Sequence, residues 1–198
     1  MGNSRLILAS TSRYRRELLE RLRWPFDVEP PGIEEVALTG EQPAQTALRL
    51  AEAKARAVAT NRTDALVIGS DQVADCDGVA VSKPTGHADA VRLLSLLSGR
   101  TIVFHTAVAL VNATTGRVQR ECVDVASTFR TLTAEQIEAY LEREQPYDCA
   151  GAVRSEALGI ALFERIVSDD PTALIGLPLI ALTRMLRSEG LDVLTPSA

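Results

Sequence analysis

The chain has 198 residues, 46% of them hydrophobic and 24% charged, with a net charge of −5 at pH 7. That composition belongs to an ordinary folded domain with a substantial core, and the acidic balance argues against a general nucleic-acid binder or a membrane-surface protein. The three cysteines, Cys76, Cys122 and Cys149, are odd in number and lack CxxC spacing, so they indicate neither a disulfide framework nor a zinc site and fit the reducing cytoplasm, while no segment reaches the roughly 18 apolar residues of a membrane span.

Arg5-Leu-Ile-Leu-Ala9 reads as a short buried strand, and Ser10, Thr11 and Ser12 offer hydroxyls to cap a helix beginning near Ser12. The first turn of that helix carries Arg15 and Arg16, where the macrodipole is already positive and further cations are unfavourable. Backbone N–H groups, the Ser10 and Ser12 hydroxyls and two guanidiniums gathered at one point make a phosphate site. Projected at about 100° per residue, Arg15 falls between Leu19 and Leu22 on the face to be buried, and Arg16 points away from it. The structural alternative has Arg15 snorkelling past Leu19 and Glu17 and Glu20 neutralising both cations.

Phe26-Asp-Val-Glu29 is a candidate strand, followed by the turn-rich PPGIEE with Glu34 and Glu35 adjacent in a loop. A second helix is expected from about Pro43 to Asn61. Its apolar stripe is Ala47, Leu50, Ala51, Ala55 and Val58, and Lys54 projects into the middle of it. Burying an unpaired ammonium is costly, so Lys54 either snorkels or meets an anion such as Asp71 or the Glu34-Glu35 pair. Ala65-Leu-Val-Ile68 is the continuous apolar run of a strand buried on both faces, and it ends in Gly69-Ser-Asp71.

Val73 to Ser82 reads as a hairpin turning at Cys76-Asp-Gly78, leading through Lys83-Pro84 into a helix from about His87 to Leu97. Thr101–Asn112 and Arg117–Arg130 bracket Thr114-Thr-Gly116 as two long antiparallel strands. Thr133-Ala-Glu-Gln136 is a capping box opening a helix through about Glu144. Short strands are expected at Ala150 to Arg154 and Ile160 to Glu164, and a last helix from near Pro178 to Glu189-Gly190, leaving a loose tail over 191–198. The two histidines, His87 and His105, are far apart in sequence and suggest no metal pair. This order predicts one α/β domain with its core over about residues 5–190: a mixed sheet flanked by helices, with a central cleft between two lobes.

Arg15, Arg16, Lys54 and Lys83 as cations, with Glu34, Glu35 and Asp71 as anions, all fall at element ends, in loops or on an otherwise apolar face. That mixture suits a phosphate ester held with a divalent cation, Mg²⁺ or Mn²⁺, which prefers carboxylate and phosphate oxygens. The chain has no GxxxxGK[ST], no GxGxxG after a strand and no GxSxG, so ATPase, dinucleotide oxidoreductase and serine hydrolase readings lose their usual support.

LILASTSRYRRELL, IGSDQV, SKP, CAGAVRSEALG and GLPLIAL, in that order, resemble the Maf-like nucleoside triphosphate pyrophosphatases over about Arg5 to Gly190. The pattern is most similar to the branch acting on 7-methyl-GTP, through Tyr14 in S-x-[aromatic]-R-R, Asp71-Gln72 after the buried strand and Glu156 in S-E-x-x-G. The resemblance implies a single α/β fold with a central cleft, commonly a homodimer, and metal-dependent hydrolysis between the α and β phosphates. It implies Asp71 as proton acceptor, Lys54 and Lys83 as catalytic cations, and Ser10, Ser12, Arg15 and Arg16 on phosphate. By the same resemblance Glu35 and Asp71 hold the metal, and Tyr14, Gln72 and Glu156 select the base. The loop reads Glu34-Glu35 where the usual pattern is Asp-Glu, which leaves a role for Glu34 open. In physical terms a cationic N7-methylguanine stacks well on Tyr14 and is attracted to Glu156, while Gln72 fixes orientation or supports Asp71. The alternatives are a dTTP/UTP pyrophosphatase of the same family, a cell-division regulator that binds nucleotide with little catalysis, and a plain nucleotide-binding module.

Overall fold

The structure, a computed structural model, describes residues 5–195. β1 (Arg5–Ala9) leads into α1 (Arg13–Glu20), whose N-cap is Ser12: its Oγ accepts from Arg15 N at 3.4 Å. The helix is only eight residues long, so Leu22 lies beyond its end, while Leu18 and Leu19 are buried. After β2 (Asp27–Glu29) comes a loop and then α2 (Pro43–Ala59), with Pro in its first turn and reciprocal capping between Gln42 and Gln45.

β3 (Ala65–Cys76) is one continuous strand of 12 residues. The sequence predicts a strand to Ile68 and a separate hairpin arm from Val73, because Gly69-Ser70-Asp71 has poor strand propensity. Packing overrides propensity there. A Cβ at Gly69 would lie 2.1 Å from Ala51 O and 2.7 Å from Ala55 N, so only glycine lets α2 lie this close to β3. That close approach brings Lys54, between those two alanines, over Asp71.

β4 (Val79–Val81) folds back on β3, and α3 (His87–Leu97), β5 (Thr101–Asn112), β6 (Val118–Phe129) and α4 (Ala134–Glu144) follow as predicted within a few residues. The predicted strand at Ala150 to Arg154 is instead a 3₁₀ turn over Ala150–Ala152, with Gly151 at φ 66° and Ala152 at φ 56°. Two left-handed residues in succession cannot extend as a strand. The expected strand at Ile160 to Glu164 moves to β7 (Phe163–Val167), preceded by a 3₁₀ turn over Leu158–Leu162. α5 (Leu179–Ser188) closes the domain. The tail is not loose from 191 onward: Leu191 is buried and Val193 packs against the same apolar cluster. Residues 196–198 of the predicted tail lie outside the described residues.

The sheet order is β2-β1-β3-β5-β6-β7, with β4 also paired to β3. β2, β1 and β3 are parallel, and the remaining pairs are antiparallel. β1 pairs with β3 as far as Ile68, and β4 begins pairing at Ala74. Residues 69–73 of β3 therefore have β5 on one edge and open space on the other. On one sheet face, α1 and α5 cover Leu6, Leu8, Ile68 and Leu110, and α3 and α4 cover Ile102, Phe104 and Phe129. These are the two lobes, and Ser70, Gln72 and Thr106 lie between them. On the opposite face α2 packs on Ile7, Val67 and Ala109. No described helix is long and apolar enough to cross a membrane.

Candidate active site

Strand alternation puts Gly69, Asp71 and Val73 on the α2 face of β3. There the Lys54 ammonium, on a residue only 3% exposed, donates to Asp71 Oδ1 and Glu35 Oε2, each at 2.7 Å. Lys54 meets its anion, as its place in an apolar stripe requires. Asp71 is buried and Glu35 is half exposed, so the ammonium ties a loop carboxylate to a carboxylate fixed on the central strand. Arg15 Nε donates to Gly176 O at 2.9 Å, and Ser70 Oγ lies 2.9 Å from the same carbonyl. Burial pulls the Arg15 guanidinium below its ordinary value, against the opposing pull of Asp71 and Glu35. It stays charged nonetheless.

A cavity of about 420 Å³ opens where β3 lacks a neighbour, lined among others by Ser12, Arg15, Glu35, Asp71 and Lys83. It adjoins a second, of about 380 Å³, that adds Ser10 and Lys54. Tyr14 lines both, and Gln72 and Glu156 line the first. Ten of the predicted site residues thus converge. Two do not. Arg16 is exposed, lines neither cavity and pairs with Glu20 at 3.0 Å, because the helix turns it about 100° away from Arg15, as the sequence projection has it; the phosphate role expected of it is not supported. Glu34 is exposed and also lines neither cavity.

The Ser10 and Ser12 hydroxyls are partly committed to the backbone: Ser10 Oγ accepts from Ser12 N at 3.1 Å, and Ser12 Oγ caps α1. Gln72 is held more firmly. Its Nε2 is within bonding distance of Thr106 Oγ1 (2.9 Å), Leu174 O (3.0 Å) and Ala173 O (3.1 Å). Its amide N–H groups fasten β3 and β5 to the 173–175 turn, and its carbonyl is the atom left for a ligand.

Tyr14, which lines both cavities, is surrounded by residues that sequence reasoning does not reach. Tyr14 Oη accepts from Arg13 Nη2 at 2.7 Å and Arg154 Nε at 3.0 Å, and donates to Asp148 Oδ2 at 3.3 Å. Both guanidiniums lie over the Tyr14 ring, at 4.7 Å for Arg13 and 5.6 Å for Arg154. The ring expected to stack on a cationic base already carries two cations. Arg154 is also bound by Glu144 Oε1 at 2.6 Å. Burial opposes ionisation of Asp148, but hydrogen bonds from Cys149 and Tyr14 and the charge of Arg154 outweigh it and lower its carboxyl. Burial raises the Cys149 thiol, which makes it a poor nucleophile. No spacing rule links Tyr14 with residues 134 and 140 positions later, so only the fold could find this group.

Glu41 was also missed. It accepts from Arg49 Nε (2.6 Å), Arg49 Nη2 (2.7 Å), Thr46 Oγ1 (2.9 Å) and Leu38 N (3.0 Å), fastening the loop after Glu35 to α2. The Arg49 hydrogen bonds, then that of Leu38, hold its carboxyl down at about 2 against an ordinary 4.5. A depressed carboxyl stabilises the fold fully above its ordinary value, and the contribution is lost as pH falls through about 2. Urea titrations between those two pH values are expected to show stability falling with acidity, and Glu41→Gln is expected to flatten that limb. A wild-type slope in the variant would assign the acid sensitivity elsewhere.

Glu35 and Asp71 each keep an oxygen not taken by Lys54, and a hard divalent cation is commonly held by one or two carboxylates plus substrate phosphates. The donor set fits such an ion. A family model described as "Maf-like protein" matches residues 5–189. A protein of Thiobacillus denitrificans named 7-methyl-GTP pyrophosphatase is 58% identical over 190 residues, 96% of this chain and 94% of its own. One of Ralstonia nicotianae with the same name is 58% identical over 92% of this chain and 94% of its own, and one of Methylobacillus flagellatus is 54% identical over 96% and 98%.

Proposed function

The chain belongs to the Maf-like protein family, and on that premise we propose that it is a nucleoside triphosphate pyrophosphatase that cleaves 7-methyl-GTP to 7-methyl-GMP and pyrophosphate. The observation that carries this is a pair of adjoining cavities that share Arg15 and Lys83, with Lys54 lining one and Glu156 the other. A triphosphate is anionic and N7-methylguanine is cationic, so the cations suit the phosphates and Glu156 suits the base. A neutral pyrimidine gains less from Glu156.

Arg15 and Lys83 take up charge on the phosphate oxygens. The Asp71 oxygen not bound to Lys54 accepts the proton of the attacking water, and the α–β bridging oxygen leaves with pyrophosphate. Lys54 fixes Asp71 and draws Glu35 toward it. Glu35, with Asp71 where its free oxygen is not taking the proton, would hold a divalent cation, which would supply further neutralisation of the phosphoryl oxygens.

Base selection rests on charge more than on the Tyr14 ring, whose faces are occupied by Arg13 and Arg154. Glu156→Gln, nearly isosteric, is expected to lower kcat/KM for 7-methyl-GTP by about tenfold, equivalent to about 1.4 kcal/mol of charge-assisted binding, with a smaller loss for dTTP and UTP. Pyrophosphate release over a panel of canonical and methylated nucleotides, with Mg²⁺ or Mn²⁺, measures this. Equal losses would give Glu156 a structural role, and faster wild-type turnover of dTTP or UTP would reject the methylated substrate.

A further inference from the structure

Beyond the cavity, the α2 face of the sheet carries a second group of metal-ligating side chains that the proposed reaction does not use. His105 of β5 and Asp124 of β6 stand directly opposite each other in the ladder, and Cys122 is two residues before Asp124 on the same face. His105 Nδ1 is 2.7 Å from Asp124 Oδ1, and Cys122 Sγ is 4.0 Å from that oxygen. One donor atom from each of the three residues lies within 4.8 Å of the others. We propose that His105, Cys122 and Asp124 form a binding site for a zinc-class divalent ion, distinct from the Glu35-Asp71 pair.

The donor chemistry separates the two sites. A thiolate with an imidazole selects zinc-class ions, whereas Mg²⁺ and Mn²⁺ prefer the all-oxygen pair. A tetrahedron built with zinc bonds to N, O and S has edges of about 3.3–3.7 Å, so small side-chain adjustments close the three donors around an ion. Water takes the fourth position, on the side where Asp124 is 63% exposed. Binding replaces the Cys122 S–H bond with a metal–sulfur bond, the thiol proton leaving to solvent, and the His105 ring binds through Nδ1 as the tautomer whose Nε2–H faces Asp75.

The surroundings have the features of a built site. Asp75 Oδ2 of β3 lies 3.3 Å from His105 Nε2, the arrangement in which a carboxylate holds the ring and leaves Nδ1 facing the metal. The four side chains are on three adjacent, fully hydrogen-bonded strands, which fixes their spacing. Cys122, like Leu48 of α2 and Val73, packs against the apolar core on this face, which keeps part of the sulfur from water. Asp75 is four residues beyond Asp71, about 13 Å along the strand, so an ion here is clear of the nucleotide.

Cobalt(II) is the probe, because a thiolate ligand gives it a near-ultraviolet charge-transfer band that an oxygen site does not. Titration of the full chain is expected to develop this band to saturation at about one equivalent, with excess Mg²⁺ leaving it and Zn²⁺ erasing it. Cys122→Ala should abolish the band and His105→Ala weaken it, both with an unchanged metal-free circular dichroism spectrum. Asp75→Asn should keep the band but weaken affinity by about 10–100-fold. No band in the wild type, or a band that survives Cys122→Ala and so belongs to Cys76 or Cys149, overturns the proposal. The outcome is independent of which nucleotide is hydrolysed.

Discussion

Asp71→Asn is expected to lower kcat for pyrophosphate release by about 10²–10⁴-fold, the usual contribution of a positioned general base, while the folded protein changes little. The amide keeps the shape of the carboxylate and can still accept from Lys54 Nζ, which retains its bond to Glu35. A thermal melt should therefore move far less than the rate, and affinity for a non-hydrolysable triphosphate analogue should persist. The dependence on divalent ion separates two roles within the same residue. If Asp71 serves chiefly as a metal ligand, raising Mn²⁺ restores much of the lost rate; if it accepts the proton, the loss persists at saturating metal. A fall in kcat smaller than tenfold would remove Asp71 from the chemistry altogether.

What the sequence discloses and what it hides follow from the range of the forces involved. Arg15 and Lys54 are legible because each is a charge on a stripe of apolar side chains, and periodicity exposes that conflict locally. Glu35 and Asp71 are legible as partners only because Lys54 demands an anion. The cage around Tyr14 is not legible: Asp148 and Arg154 meet it through the left-handed turn at Gly151-Ala152, where a strand pattern misleads. Sequence divides β3 into two pieces because Gly69 looks like a strand break, when its missing Cβ is what lets α2 approach. The proximity of His105, Cys122 and Asp124 is not legible, because it depends on the β5–β6 register, a property of pairing that spacing along one strand does not record.

Lys54→Met is expected to damage stability and activity together, which distinguishes it from Asp71→Asn. Methionine fills the volume but leaves Asp71, 8% exposed, and Glu35 facing each other without the ammonium. Breaking a buried ion pair by removing one partner costs about 3–5 kcal/mol. Access to the cavity and the nearby Arg15 favour the low end, so a loss of about 3 kcal/mol and a Tm lower by about 6–12 °C are expected for a chain of this size. Turnover should fall for every triphosphate alike, since Lys54 touches the reacting end and not the base. The double variant Lys54→Met with Asp71→Asn then tests the cause. Neutralising Asp71 removes the uncompensated charge, so the pair should regain about 0.5–3 kcal/mol relative to additive losses while staying inactive. Additive losses, or a wild-type melting temperature in Lys54→Met alone, would mean that the bridge between Asp71 and Glu35 neither stabilises the fold nor positions the base.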